Sequence, residues 1–260
     1  MKKYIFLNYF SDKDPARREE YVYCVKQNLA CNFIDKVFIF VQNEECKQDL
    51  PLSDKIEYLH IANRMEFKDI ITYAHENLEP DSIVIILNLD VFIENSSEWA
   101  NIDRDFFQVG YRNKTLVCKR HNLDENMNTW IEDYSWNKGE FCDAWILKTP
   151  IDNRLIQEDL QFCVGGAPQC DNLMMYLMSK YNHVFSWGSK YKIYHYDVCR
   201  KQNQKPVMIV NELTDMRPSK RRSEHIDIPA NQDWELLLKT HTQPKYLPTW
   251  RIYLLNIPIM

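Results

Sequence analysis

Glycine is scarce in this chain. It has five glycines in 260 residues, roughly 2% against a usual value of about 7%. They are Gly110, Gly139, Gly165, Gly166 and Gly188. No strand-then-glycine loop can be built from them, which excludes a dinucleotide fingerprint and a P-loop. If such a chain binds phosphates, side chains or a metal ion must hold them. Positive charge is not in excess either: 32 Lys+Arg against 37 Asp+Glu leave a net charge of −5. No whole-molecule field draws the chain to nucleic acid. Long apolar runs are missing, and a run such as Ile83-Val84-Ile85-Ile86-Leu87 is too short for a transmembrane segment. The eight cysteines contain no CxxC pair and mostly sit beside apolar residues, as buried free thiols do. The opening MKKYIFLNYFSDKD imitates a signal peptide only briefly, because Asn8 interrupts it and charges follow. Both features point to a reducing, cytoplasmic location. An aromatic content of 13% and the lack of repeats exclude disorder, collagen and coiled coil.

What is present is an alternation of elements. Residues 3–10 read as a strand of aromatic and branched side chains. Arg17 to Ala30 reads as a helix with Tyr21, Val22, Val25 and Leu29 on one face. Strands follow at Lys36–Val41 and Ile56–Ile61. Asn63 reads as a helix N-cap with Glu66 completing a capping box, and the helix runs to about Leu78, before Pro80. Ile83–Ile93 is the strongest strand signal. These strands are continuous apolar runs, the mark of a mostly parallel sheet covered on both faces. The fold class expected is therefore α/β. Further strands are expected at Thr115–Cys118, Ala144–Leu147 and Tyr191–Tyr196, and a helix at Asn172–Tyr181. Beyond about Lys201 the chain turns polar, with a basic knot at 217–222 that reads as a solvated loop. Without a Gly/Ser linker, 201–260 is expected to be an irregular extension packed on a domain formed by 1–200.

In an open α/β sheet, ligands bind beyond the carboxyl ends of the strands. Asp90 lies near that end of the best strand, and a carboxylate within such a run is costly unless paired, hydrogen-bonded or metal-bound. Strand alternation points Asn88 to the same side, and together they offer the oxygen ligands that Mg²⁺ or Mn²⁺ prefers. The plainer reading is that Asp90 caps the strand end. His195, in KIYHYD, suits a Mn²⁺ site or is a satisfied core histidine. Gly165 and Gly166, adjacent in so glycine-poor a chain, mark unusual backbone geometry beside Asp171, which otherwise reads as an N-cap. Asp143 enters a strand beside Trp145, or sits in a solvated turn. Arg64 and Asp69, five apart on one helix, share no close face.

Taken in order, these segments resemble GT-A-type glycosyltransferases of bacterial and large-virus glycan pathways. The matching stretches are Tyr4-Ile5-Phe6-Leu7, Arg64-Met65-Glu66-Phe67-Lys68-Asp69, Leu87-Asn88-Leu89-Asp90 and Val117-Cys118-Lys119-Arg120. Asp143-Ala144-Trp145-Ile146, the loop Gly165 to Asn172, and Ile193-Tyr194-His195 follow. The resemblance covers roughly residues 3–197 and implies a GT-A-like central sheet flanked by helices. It also implies transfer of a sugar from a nucleotide-diphosphate sugar, a UDP-sugar first, to a glycan or small hydroxyl acceptor. Asp90 and His195 become ligands of Mn²⁺ or Mg²⁺. Asn8, Tyr9 and Phe10 become the nucleotide wall. Arg64, Asp69, Asn88, Leu89, Arg120 and Asn172 become nucleotide-sugar contacts. Asp143 and Asp171 face donor sugar and acceptor; in an inverting reaction Asp143 is the first candidate for a base and Asp171 the second, and in a retaining one both bind sugar hydroxyls instead. Asn88 stands where the family's metal motif has its first acid. Three other readings compete: a nucleotidyltransferase, whose glycine-rich loop is missing; a glycoside hydrolase, whose barrel alternation is missing; and a GT-A-like binding or scaffold protein without chemistry.

Overall fold

The computed structural model describes residues 1–108, 113–124, 126–130, 142–164, 170–186, 190–196, 198–199 and 252–254. The strands are β1 (Lys3–Tyr9), β2 (Lys36–Val41), β3 (Ile56–His60), β4 (Ile83–Leu87), β5 (Val91–Ile93) and β6 (Lys114–Leu123). They continue as β7 (Thr129–Trp130), β8 (Cys142–Lys148), β9 (His183–Ser186), β10 (Ile193–Tyr196) and β11 (Ile252–Leu254). The α-helices are α1 (Pro15–Ala30), α2 (Phe67–Asn77), α3 (Ser97–Ala100), α4 (Asn153–Ile156) and α5 (Cys170–Ser179). All five glycines and most of 201–260, including the basic knot, lie outside the described residues.

The main sheet runs β11-β9-β6-β8-β4-β1-β2-β3. β1 pairs in parallel with β2 and β4, and β2 with β3. β8 is inserted antiparallel between β4 and β6. Side chains of β1 alternate between two cores. Ile5, Leu7 and Tyr9 pack with Val37, Ile39, Tyr21 and Val25 on the α1 face. Tyr4 and Phe6 pack with Phe38, Val84, Ile86, Phe67, Ile70 and Trp145 on the α2 face. A strand buried on both faces has no polar side, so its sequence shows an unbroken apolar run.

α1 begins earlier than its apolar face, because Pro15 takes the first turn and the Asp14 side chain accepts from the Ala16 N–H. Three expectations are corrected. The N-cap of α2 is Glu66, not Asn63: the Glu66 side chain accepts from the Asp69 N–H, and the Glu66 N–H donates to Asp69 Oδ2 at 2.8 Å. The strand expected over Ile83–Ile93 is two strands. Its pairing with β8 ends at Leu87↔Ala144, the Val91 N–H closes a turn on the Asn88 carbonyl at 3.2 Å, and β5 leaves to pair with β10. Asn88 and Asp90 therefore do not share a strand face, because alternation stops where the turn begins. Finally, α5 starts at Cys170, which puts Asp171 within its first turn instead of at its cap.

Candidate functional site

From β1 the chain steps outward to β2 and β3, while β4 lies on the other side of β1. The reversal opens a crevice at the carboxyl ends of β1 and β4. Two polar groups stand there.

The first is a row across adjacent strand ends. Asn8 is the last residue but one of β1, two residues beyond Phe6, and Asn88 follows β4 two residues beyond that residue's partner, Ile86. Asn88 Nδ2 donates to Asp143 Oδ1 at 2.6 Å, and Arg120 Nη1 donates to Asp143 Oδ2 at 3.3 Å. Asp143 is only 5% exposed and has both oxygens engaged. A carboxylate only accepts, so it turns the Asn88 amide with its nitrogen inward and its oxygen away. Among the described residues, Asn88 Oδ1 and Asn8 Oδ1 are buried with no hydrogen-bond partner. A buried acceptor without a donor is costly, and two at one crevice suit a ligand's O–H or N–H groups.

The second group is built around Asp90. β10 lies between β5 and β6, with His195 in register with Val91 and with Asn122. The Tyr196 N–H donates to the Asp90 carbonyl at 2.9 Å, which pins the turn against β10. His195 Nε2 then stands 3.5 Å from Asp90 Oδ2. Its Nδ1 lies 2.9 Å from Asn122 Oδ1. An amide oxygen only accepts, so Nδ1 carries the proton there and Nε2 is presented to the carboxylate. Arg17, which sequence reading placed only at the start of a helix, reaches Asp90 Oδ2 with Nη2 at 2.6 Å. Its Nη1 donates to Glu20 Oε2 at 2.6 Å and its Nε to Tyr21 Oη at 3.0 Å. The readable signal was its spacing: Arg17 falls three and four residues before Glu20 and Tyr21, on the buried face of an amphipathic helix.

The remaining residues divide. Phe10 packs against Tyr21 with ring centroids 5.4 Å apart, and the Arg64 guanidinium lies 5.8 Å from the Phe10 ring centre, so both stand beside the carboxyl end of β1. Tyr9 is fully buried and its hydroxyl donates to Asp49 Oδ2 at 3.1 Å. Burial and the Asp49 charge hold that phenol well above its ordinary range. Leu89 is buried in the α1-face core. Asp69 has one oxygen in the capping box. Asn172 lies with Asp171 in the first turn of α5, and their side chains lie outside the described residues.

Among the described residues, no group of three or more His, Cys, Asp and Glu side chains is arranged to hold a metal ion. Two donors do converge, Asp90 and His195. A carboxylate with an imidazole is a mixture that Mn²⁺ accepts. The second ring nitrogen is anchored on Asn122, as in ligating histidines. A two-donor protein set leaves the other positions to oxygens of a ligand and to water. The residues fit such an ion.

No family model matches the chain, and no curated protein matches it. Solved structures do. One is GalNAc-T7, crystallised with UDP, GalNAc and Mn²⁺, at 9% identity over 86% of this chain and 48% of that one, with a TM-score of 0.53. The chain thus spans about half the length of that protein. TarS from S. aureus aligns at 15% identity over 75% of this chain and 60% of its own, with a TM-score of 0.48. The 4-diphosphocytidyl-2C-methyl-D-erythritol synthase of Anaerococcus prevotii aligns at 10% identity over 72% and 86%, with a TM-score of 0.46. A mostly parallel sheet between two helical layers, shared with GalNAc-T7 over most of this chain, makes the fold GT-A-like.

Proposed function

We propose that the protein is a glycosyltransferase that moves a sugar from a nucleoside-diphosphate sugar to a hydroxyl acceptor. The observation that carries this reading is the meeting of Asp90 and His195, 3.5 Å apart, at the switch point of a GT-A-like sheet. UDP and Mn²⁺ are the first ligands to try, because GalNAc-T7 was crystallised with both. A divalent cation held by Asp90 and His195 would offset the charge of a departing diphosphate. The chain's own residues supply the rest. Asn122 fixes the His195 ring. Asp143 fixes Asn88, whose amide oxygen accepts from the sugar or ribose, beside that of Asn8. Phe10 and Arg64 offer a face and a cation at the crevice mouth, where a base stacks. The bond to the anomeric carbon breaks through an oxocarbenium-like state. An inverting reaction then needs a base on the acceptor hydroxyl. Asp143, buried and doubly hydrogen-bonded, is a positioning group, and Asp171 takes that role. Residues 201–260 belong to the same domain, a reading supported by the parallel pairing of β11 with β9.

A second reading, a binding protein without chemistry, is favoured by one feature: Arg17 already neutralises Asp90 at 2.6 Å. A transfer assay separates the two. Purified protein is offered a panel of nucleotide sugars and glycan acceptors with Mn²⁺, and nucleoside diphosphate release is measured. The transferase reading expects one donor to be consumed; if the reaction inverts, Asp171→Asn is expected to lose about a hundredfold or more of that turnover with nucleotide binding intact. Nucleotide binding without turnover of any donor would favour the binding protein.

A further inference from the structure

We infer that Asp143 is a positioning residue that fixes the sense of the Asn88 amide, so that the crevice selects a ligand carrying a vicinal diol. The inference rests on the reading of this crevice as a nucleotide-sugar site. β8 is irregular at this residue. Ala144 pairs with Cys118, but Cys142 pairs with the next residue, Lys119. Asp143 is therefore an extra residue, a β-bulge. The two cores record its effect. Ala144 and Ile146 lie in the α1-face core, and Trp145 and Leu147 in the α2-face core. Simple alternation would put Cys142 with Ala144, yet Cys142 lies in the α2-face core. The bulge thus turns two successive side chains, Cys142 and Asp143, to the α2 face. That aims a buried carboxylate at the end of β4.

Asp143 Oδ1 accepts from Asn88 Nδ2 at 2.6 Å, and Oδ2 accepts from Arg120 Nη1 at 3.3 Å. A carboxylate only accepts, so only the nitrogen of the Asn88 amide can face it. The Asn88 oxygen is left pointing away, buried and without a donor among the described residues. Asn8 Oδ1 is in the same condition at the end of the adjacent strand. Tyr4 and Phe6, which precede Asn8 in the alternation of β1, lie in the α2-face core, so Asn8 shares the face of Asp143. Neighbouring strands run about 4.8 Å apart. Two amide oxygens at that spacing suit two hydroxyls on adjacent carbons, each donating to one oxygen. A carbonyl, a phosphate oxygen or a missing hydroxyl in that place leaves a buried acceptor unmet. The ribose of a nucleotide and the sugar that it carries both offer such a diol.

Equilibrium binding with Mn²⁺ present tests this on the wild type, Asn88→Ala, Asp143→Asn and the double variant, with unfolding midpoints recorded alongside. The probes are UDP, ADP, CDP and GDP against their 2′-deoxy and 3′-deoxy counterparts. For the nucleotide that binds, its glucose conjugate is then compared with conjugates lacking one sugar hydroxyl. In the wild type, loss of one hydroxyl is expected to weaken binding by about tenfold or more. The arm in which the loss falls, ribose or sugar, identifies the diol. Asp143→Asn keeps the shape of the side chain and offers as many hydrogen bonds. Its single amide oxygen stays with Arg120, so its nitrogen faces Asn88 and draws the Asn88 oxygen inward. The preference is expected to shrink to within about threefold in that variant and in Asn88→Ala, with no further change in the double variant. A merely structural carboxylate would move the unfolding midpoint alone. A preference that persists in Asp143→Asn, whatever its midpoint, or in Asn88→Ala, overturns the inference. So does a wild type that binds a nucleotide yet is indifferent to every hydroxyl, and this result leaves the nucleotide-sugar reading standing. A wild type that binds no nucleoside diphosphate overturns that reading itself.

Discussion

Asp143 has a donor on each of its oxygens, and this decides what Asn88 can be. An acid placed at position 88 would set two carboxylates across the 2.6 Å now bridged by an amide N–H. Asn88→Asp is expected to destabilise the protein by about 1–3 kcal/mol near pH 8, through repulsion and a lost donor. The new pair would share a proton, so the folded-state pKa of one acid rises above its unfolded value. The pair then costs little near pH 4–5, and the penalty grows as pH rises through that raised pKa. Urea midpoints at pH 5 and 8 check this, and an unchanged midpoint at pH 8 would contradict it. Cys31 carries a second pH test. Burial pushes its thiol up to about 11, with the Lys55 charge pulling the other way. The unfolded thiol ionises near 9, so the unfolded chain holds fewer protons between pH 9 and 11, and stability falls across that window. The stability difference between wild type and Cys31→Ala should shrink from pH 8.5 to pH 10.5; a constant difference would show that Cys31 does not titrate this way. At this scale, sequence singled out Asp90 and His195, a carboxylate at the end of an apolar run and an imidazole in an aromatic strand, and the structure brings the two within 3.5 Å of each other. Sequence did not show Arg17, whose partner Asp90 lies 73 residues away and has no local signature.

Elements fix where these residues meet. The turn at 88–90 sends Asn88 toward β8 and Asp90 toward β10, two directions that one continuous strand would have merged. No periodicity marks that break, because Ile83–Leu87 and Val91–Ile93 are equally apolar; pairing with β8 and then with β10 makes it. The start of α2 was shifted for a similar reason. Asn63 and Glu66 have the spacing of a capping box, yet the box closes on Glu66 and Asp69. Glu66 is also bridged to Cys163, and that tertiary contact selects between two local candidates. Asp69→Ala is expected to cost about 0.5–2 kcal/mol of stability, as loss of a cap does. Nucleotide affinity of that variant should stay within about twofold of wild type, since one Asp69 oxygen serves the helix. An affinity loss without a fall in unfolding midpoint would return Asp69 to the list of ligand contacts.

At the scale of the whole molecule, the two-sided sheet was legible because parallel strands buried on both faces leave continuous apolar runs. The sheet order was less so. β8 inserts antiparallel between β4 and β6, and β10 joins β5 to β6; both are long-range pairings that no short window contains. That order brings the end of β4, the helix after β1 and a strand some hundred residues later to one crevice. Scarce glycine fits the proposed function, in which side chains and an ion would take the place of a backbone phosphate cradle. The most direct test of the account is a thermal shift experiment with UDP and other nucleoside diphosphates, with and without Mn²⁺, on wild type and Asp90→Ala. Ligands that bind only the native state raise its unfolding midpoint. A rise is expected with one nucleotide, requiring Mn²⁺ and vanishing in Asp90→Ala. No rise with any nucleotide, or a Mn²⁺-dependent rise that survives in Asp90→Ala, would contradict it.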